Sequence, residues 1–589
     1  MVIVKVEHDD VTFNAHQGHL GLFINELDAG SNPIEFHVTN NSELNVSWYL
    51  ELNGFIDLEG ESQLVQGFDS DLAVGTSGKI ERDQQGTADR YTYNYWSSPV
   101  GVTDEGNNKY RYKLPQVMKD GTNPANPGTI NFITSGYNGS NTNPIGLADY
   151  WIWKFANQLD DDYPSWQHVR STGDLYAGEG FTMKGPGTGS ILTDQNYVFN
   201  GKPNNGDINL TISTGNDYLI GNPYASALDA YTFINDNSSS ITGTLYFWEH
   251  WGGGTHNLAE YQGGYHLLNL SGATTAATIG SNDPDVGNGG TPVKIPGNYI
   301  PVSQGFFVVA SGTGGTINFN NGQRVFHKES SGNSTFVDNY DASFGVTVNG
   351  NNNTQNDDNQ SEDLRLKLRI GFNSVNTIRR QLLATVDENA TSGIDWGYDG
   401  KNNDDQMDDM FWLIENERFV IQGTDNINAE TILPLGLYTD DEGLNSIVLD
   451  NLENAPTDLK VYLHDKTLGV YHDLKDSAYE IHLTAGEYLD RFEITFSNQE
   501  TLDIDDNIEE TKLDVYYTNA KKSLILINPL YKEITSIDVI NLIGQKLHNL
   551  TNVSKLNHAE IKIKNLSTGA YIIKLNTPEG TVSKKVLVE

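Results

Sequence analysis

Apolar residues in this chain come in short runs that alternate with polar ones and stop at Asn, Gly, Ser or Glu. Phe36-His37-Val38, Glu43-Leu44-Asn45-Val46, Tyr49-Leu50-Glu51-Leu52, Phe55-Ile56-Asp57-Leu58 and Leu364-Arg365-Leu366-Lys367-Leu368-Arg369-Ile370 all follow this pattern. A period of two puts successive side chains on opposite faces of a strand, whereas a helix needs the three-to-four spacing that is rare here. The β-branched and aromatic content of the runs, with 58 glycines to turn the chain between them, points the same way. The expected fold class is all-β. No stretch approaches the ~18 consecutive apolar residues of a membrane helix, so the chain is not expected to be membrane-spanning in that form.

A length of 589 residues implies several domains, since one domain takes roughly 150. Residues 1–90 read as the β-solenoid-like end of a longer region, because each run of a few residues is followed at once by a turn. The edge of an ordinary sandwich is the alternative. An internal duplication follows. Tyr95-Trp96-Ser97-Ser98-Pro99 corresponds to Leu219-Ile220-Gly221-Asn222-Pro223, and Gly178-Glu179-Gly180-Phe181 corresponds to Ser303-Gln304-Gly305-Phe306. Pro99 and Phe181 are 82 residues apart, Pro223 and Phe306 83. A Gly-rich turn and a strand ending in Phe-Asn come next in both copies (Phe199-Asn200, Phe319-Asn320). Two tandem β-sandwich units, 91–213 and 214–330, are therefore expected. They are followed by a linker strand and polar loop (331–363), a third β-sandwich (364–500), an acidic tether (501–512) and a terminal domain (513–589).

The net charge of −41 argues against nucleic acid as a partner, because a phosphate backbone would be repelled. The charge is uneven. Residues 511–589 carry 11 lysines against 6 carboxylates, whereas the preceding 510 residues hold 26 basic and 72 acidic groups. Such asymmetry signals a different partner for the tail. Cysteine is absent, which excludes disulfides and thiolate metal sites. Met1-Val2-Ile3-Val4-Lys5 lacks the charged segment, apolar core and cleavage site of a signal peptide, so the chain is expected to be part of a longer secreted protein.

Catalytic signatures are missing from the sequence: neither a His-Glu-x-x-His zinc motif nor a nucleophile elbow occurs. No catalytic residue is assigned. Gly185-Pro186-Gly187-Thr188-Gly189-Ser190 lacks the Lys-Ser/Thr of a phosphate loop and reads as a hairpin turn. His250, His256 and His266 read as scattered loop histidines. The candidate cofactor is calcium, held by Asp395, Asp399, Asp404, Asp405 and Asp408, because hard oxygen donors at short spacing around glycine can wrap that ion. The spacing departs from an EF-hand, and a solvated acidic loop explains the same residues. Alternating aromatics at Tyr91–Trp96, Tyr150–Trp153 and Tyr246–Trp248 are expected to divide between core and surface, where outward rings could stack on glycans.

The tail carries several motifs in order: Leu524-Ile525-Leu526-Ile527-Asn528-Pro529, Leu542-Ile543-Gly544-Gln545, Leu566-Ser567-Thr568-Gly569-Ala570-Tyr571 and a closing Lys584-Lys585-Val586-Leu587-Val588. It resembles the type A sorting domain of Bacteroidetes type IX secretion substrates. The strand before Asn528-Pro529 departs from the usual arrangement of that family. The resemblance implies an Ig-like β-sandwich, sorting-signal roles for Asn528, Pro529, Gly544, Gln545, Leu566, Gly569, Tyr571, Lys584 and Lys585, and partners in the outer-membrane translocon, its shuttle protein and a cell-surface sortase. It also implies a secreted or cell-surface location, with cleavage in the tether. The expected function is an exported, non-catalytic adhesive or stalk module. The alternative is the accessory region of a carbohydrate-active or proteolytic enzyme.

Overall fold

The structure is a computed structural model. It describes residues 2–104, 110–159, 163–187, 193–278, 292, 294–337, 363–498, 513–518, 521–528, 531–541, 545–551, 558–563, 566–578 and 580–588. With 54% strand and 5% helix, the chain is nearly all β. No helix among the described residues is long and apolar enough to cross a membrane. Two compact units form. The first contains residues 1–427, 434–457 and 483–489; the second contains 428–433, 458–482 and 490–589. The stretch read as one sandwich over 364–500 contributes to both. The acidic tether and most of the polar loop lie outside the described residues.

The first unit begins with parallel strands in two sheets. Val11–Phe13, Glu35–Val38, Phe55–Leu58 and Lys79–Thr87 stack in that order, with Phe36 beside Ile56 and Ile56 beside Ile80. In the other sheet Val2–Val6, Gln17–Ile24 and Glu43–Leu52 are followed by Gln63–Gln66 and Asp71–Val74, so that Leu44 lies beside Leu64 and Leu50 beside Leu72. Parallel pairing sets equivalent positions of successive strands side by side, so alternation along each strand becomes a continuous apolar row across them. Leu22, Phe36, Leu44, Val46, Leu50, Ile56, Leu58, Leu64 and Ile80 are all fully buried in one core. Each such side chain contributes roughly 1.5–3 kcal/mol relative to exposure, which stabilises a chain with no disulfide. The outward positions carry the polar partners, among them the row His37, Asp57 and Glu81.

Antiparallel pairing takes over where Lys79–Thr87 meets Asp194–Pro203. The two duplicated segments then make the same pairings. In the first, Tyr93–Trp96 pairs with Phe181–Lys184, placing Trp96 opposite Phe181; in the second, Asn216–Gly221 pairs with Gly305–Ala310, placing Ile220 opposite Phe306. Trp96 and Ile220 each stand three residues before the matching proline, so the register is identical. The flanking strands also correspond: Arg82 faces Phe199, and Ile208 faces Phe319.

The copies contact each other reciprocally. Trp96 bridges Gln304, and Ile220 bridges Glu179, each two residues before its phenylalanine. Ser97 N donates to Ser303 O at 2.8 Å, and Gly221 N to Gly178 O at 3.0 Å. The two acceptors share a left-handed backbone, with φ of 65° at Ser303 and 83° at Gly178. This close approach explains the glycine before each phenylalanine. A Cβ on Gly180 would lie 2.7 Å from Leu219 Cγ, and one on Gly305 would lie 2.8 Å from Trp96 N.

Further along the first unit, Arg379–Val386 lies between Lys367–Asn373 (antiparallel) and Glu417–Thr424 (parallel), with Asp409–Ile414 next. Its inward Arg380 is buried against Asp409, with both side chains 1% exposed. In the second unit Tyr462–Asp465 pairs with Val470–Asp473 and with residues 492–495, and the buried Asp465 accepts from Arg491 and Tyr479. The terminal segment forms two sheets. One contains Asp514–Thr518, Ser523–Ile527 and His558–Lys562, the other Ser536–Asn541, Lys546–Thr551, Gly569–Thr577 and Gly580–Val588. Leu524, Leu526, Ile537, Val539, Ile573 and Leu575 share one core there.

Candidate functional site

The motif residues of the tail close its turns and plug its core. Asn528 is buried and clamps the loop after its strand: Nδ2 donates to Lys532 O at 2.8 Å, and Oδ1 accepts from Lys532 N at 2.9 Å. An Asn side chain can hold a turn this way because it offers both a donor and an acceptor. Gln545 closes the hairpin between Ser536–Asn541 and Lys546–Thr551, its N donating to Asn541 Oδ1 at 2.8 Å. Leu566 packs on the core, and Tyr571 is buried with its hydroxyl donating to Ser567 O at 2.7 Å. Gly569 opens the strand that carries Tyr571, and Lys584 and Lys585 stand exposed on the last strand. Pro529 and Gly544 lie outside the described residues. The tail thus carries Lys584 and Lys585 exposed on a strand of a scaffold whose Asn528, Gln545 and Tyr571 make local hydrogen bonds.

Each of the five aspartates of the calcium reading accepts a hydrogen bond or pairs with a basic group within the chain, and Asp399 Oδ2 also accepts from Asp395 N. Asp395 Oδ2 accepts from Thr391 Oγ1 at 2.9 Å, and Asp399 Oδ1 from Gly423 N at 2.7 Å. Burial pushes the Asp399 carboxyl up to about 7. Asp404 accepts from Gln406, and Asp405 pairs with Arg418 at 3.1 Å. Asp408 Oδ1 accepts from Asp440 N at 2.8 Å, and its Oδ2 is buried without a partner. Among the described residues, the one convergence of three metal-ligating side chains lies elsewhere, at Glu35, His37 and Asp57.

Of the three histidines read as loop residues, only His256 lies in a loop, between the strands Ile241–Gly252 and Gln262–Asn269. His250 and His266 lie in the paired strands Ile241–Gly252 and Gln262–Asn269 and are buried. His266 Nδ1 accepts from Ala276 N at 3.1 Å, which leaves Nε2 to donate to Glu249 Oε2 at 2.7 Å. The long sheet strands override the loop reading that Gly252-Gly253-Gly254 suggested.

A continuous aromatic surface runs across the first unit. Its rings follow one another in the order Tyr91, His256, Trp151, Tyr137, Tyr150, Trp153 and His168, with neighbouring centroids 3.9–6.0 Å apart. Tyr137 is 54% exposed. His168 is also exposed, and the other five rings are half-buried. Beneath them lies Lys184, buried, with Nζ 3.7 Å above the Trp151 ring and donating to Tyr261 Oη at 2.6 Å. Burial pushes this amine down to about 6, with the Asp89 carboxylate acting in the opposite direction. Tyr150 and Trp151 end a short 3-10 turn, Asp149–Trp151, and Trp153 opens the strand Trp153–Lys154; the fully buried Ile152 between them anchors the stretch and leaves the three rings half-buried. Lys184 carries no sequence signal, because a lysine next to Met183 at a strand end reads as a solvent-facing residue.

Two family models match the chain. One, described as a secretion system C-terminal sorting domain, matches residues 515–589. The chain is thus a type IX secretion substrate, exported to the cell surface or the medium. No curated protein matches. Among solved structures, a chain titled "Biofilm associated protein - BSP domain" is similar at 10% identity over 86% of this chain and 97% of that chain, with a TM-score of 0.14, too low to carry an argument. The second family model spans residues 133–496, from within the first copy of the duplication, with every ring of the aromatic row except Tyr91, through the second copy to just past the strand Gly486–Thr495. By that match the chain belongs to the family described as "Domain of unknown function (DUF8693)".

Proposed function

We propose that the exported chain is a non-catalytic surface module whose aromatic face binds polysaccharide, carried on a β-solenoid-like segment and delivered by an Ig-like sorting tail. The observation that carries this reading is the unbroken row of rings from Tyr91 to His168. A row of rings that reaches the surface along its length, exposed at Tyr137 and His168 and half-buried between, marks a site of interaction. A pyranose presents an apolar face of C–H groups that stacks on an aromatic ring, and several rings in a row suit a chain of sugars better than one small ligand. The non-catalytic reading is supported by the state of the ionisable groups. His266 and Glu249 are locked together, Asp465 is held by Arg491 and Tyr479, and Asp395 and Asp399 accept from Thr391 and Gly423.

Gel retardation of the full chain in a panel of neutral and acidic polysaccharides tests this. At least one polymer is expected to retard the protein. Tyr137→Ala, which removes an exposed ring and no buried contact, is expected to weaken that interaction about threefold to tenfold, the equivalent of the ~0.5–1.5 kcal/mol of an aromatic contact. Unretarded protein across the panel, or identical behaviour of the variant, contradicts the proposal.

A further inference from the structure

We propose that Glu35, His37 and Asp57 form a binding site for a divalent transition-metal ion such as Zn2+, on the outer face of the parallel strands and separate from the aromatic surface.

The parallel register builds the site. His37 in Glu35–Val38 lies beside Asp57 in Phe55–Leu58. Glu35 precedes His37 by two positions and shares its face, since side chains alternate along a strand. One ligand atom from each of the three lies within 4.8 Å of the others. The imidazole is already turned into the carboxylates, with Nδ1 3.5 Å from Asp57 Oδ2 and 3.3 Å from Glu59 Oε1. Around a tetrahedral ion with ligands at ~2.1 Å, neighbouring ligand atoms are about 3.4 Å apart. The His37–Asp57 separation already matches this spacing, and the Glu35 carboxylate, within 4.8 Å of both, closes the site by a side-chain rotation.

Charge points the same way. Asp57 lies between His37 and Glu81 in the cross-strand row. Its one basic partner among the described residues is His37. Glu81 and Glu59 add further negative charge beside it. A divalent cation supplies the positive charge that the row lacks. The mixed nitrogen and oxygen donors favour a borderline ion such as Zn2+ over Ca2+ or Mg2+, which take oxygen alone. The competing account is a protonated His37 held by three carboxylates, Asp57 and Glu59 at Nδ1 and Asp10 3.9 Å from Nε2, with no metal.

Calorimetric titration of the chelator-treated full chain at pH 7.5 with Zn2+, and separately with Ca2+, distinguishes the two accounts. One equivalent of Zn2+ is expected to bind. His37→Gln and Asp57→Asn are each expected to lower the affinity about tenfold or more while leaving the far-UV circular dichroism unchanged. Glu35→Gln, at a half-exposed position, gives the same reading if either of those variants fails to fold. Co2+ in place of Zn2+ is expected to show d–d absorption that His37→Gln alters. The proposal is overturned if the wild type takes up no Zn2+, if Zn2+ binds equally in the variants, or if Ca2+ binds as tightly as Zn2+ without dependence on His37.

Discussion

Replacing Arg380 by Ala is expected to destabilise the strands of residues 364–457 by about 3–5 kcal/mol. Arg380 Nε donates to Asp409 Oδ1 at 2.7 Å, and Nη2 donates to Asp409 Oδ2 at 2.9 Å and to Asp404 O at 2.6 Å. Burial alone would lower the guanidinium pKa; the Asp409 carboxylate outweighs it, and the net shift is upward. Truncation leaves Asp409 charged and out of water, with only the neutral donors Asn402 Nδ2, Gln406 N and Met410 N around it. The cost is thus that of an unpaired buried charge, rather than of one lost contact. The double variant Arg380→Met/Asp409→Leu removes both charges and is expected to recover most of the loss. A chain of this size does not unfold in one step, so the readout is hydrogen exchange at Leu382–Ala384 beside the pair. A change below about 1 kcal/mol, or a double variant as unstable as the single one, contradicts the assignment.

Gly305→Ala and Gly180→Ala are expected to cost about 1–3 kcal/mol each, localised to the contact between the duplicated segments. The added methyl at Gly305 meets Trp96 N and Tyr95 C at 2.8 Å, and backbone does not yield as a flexible side chain would. At Gly180 it meets the Ile220 carbonyl oxygen at 2.8 Å and Leu219 Cγ at 2.7 Å. Because the two contacts are reciprocal, either substitution is expected to speed exchange at both Tyr93–Trp96 and Asn216–Gly221. Gly18→Ala serves as the control, since nothing lies within 4 Å of a Cβ there. Equal effects at Gly18 and Gly305 would show that the glycines matter only for backbone freedom.

What could be read from the sequence was what depends on local order. The alternation of Phe36-His37-Val38 gives the buried, outward, buried sequence directly, and the near-equal spacing from proline to Gly-Phe announced strands that prove to pair in one register. Asn528, Gln545 and Tyr571 in the tail motifs bond within four residues, to Lys532, Asn541 and Ser567, so a short stretch of sequence carries them. Partners that meet only through register were not legible. His37 and Asp57 are 20 positions apart, and Glu249 and His266 are 17 apart, on neighbouring strands. Arg380 and Asp409 come from strands that are not even adjacent in sequence. Nor does composition show which donors each acidic side chain meets: Asp395 accepts from Thr391 four residues before it, whereas Asp399 accepts from Gly423 on a distant strand.

The account rests on an acidic β cargo delivered outside the cell by its terminal segment, and one quantity tests this directly: the fraction of the protein found outside type IX-competent cells, with and without residues 513–589. With an N-terminal leader supplied to both forms, the intact chain is expected at the surface or in the medium and the shortened one in the periplasm. A shortened chain that still reaches the exterior in full would contradict the account.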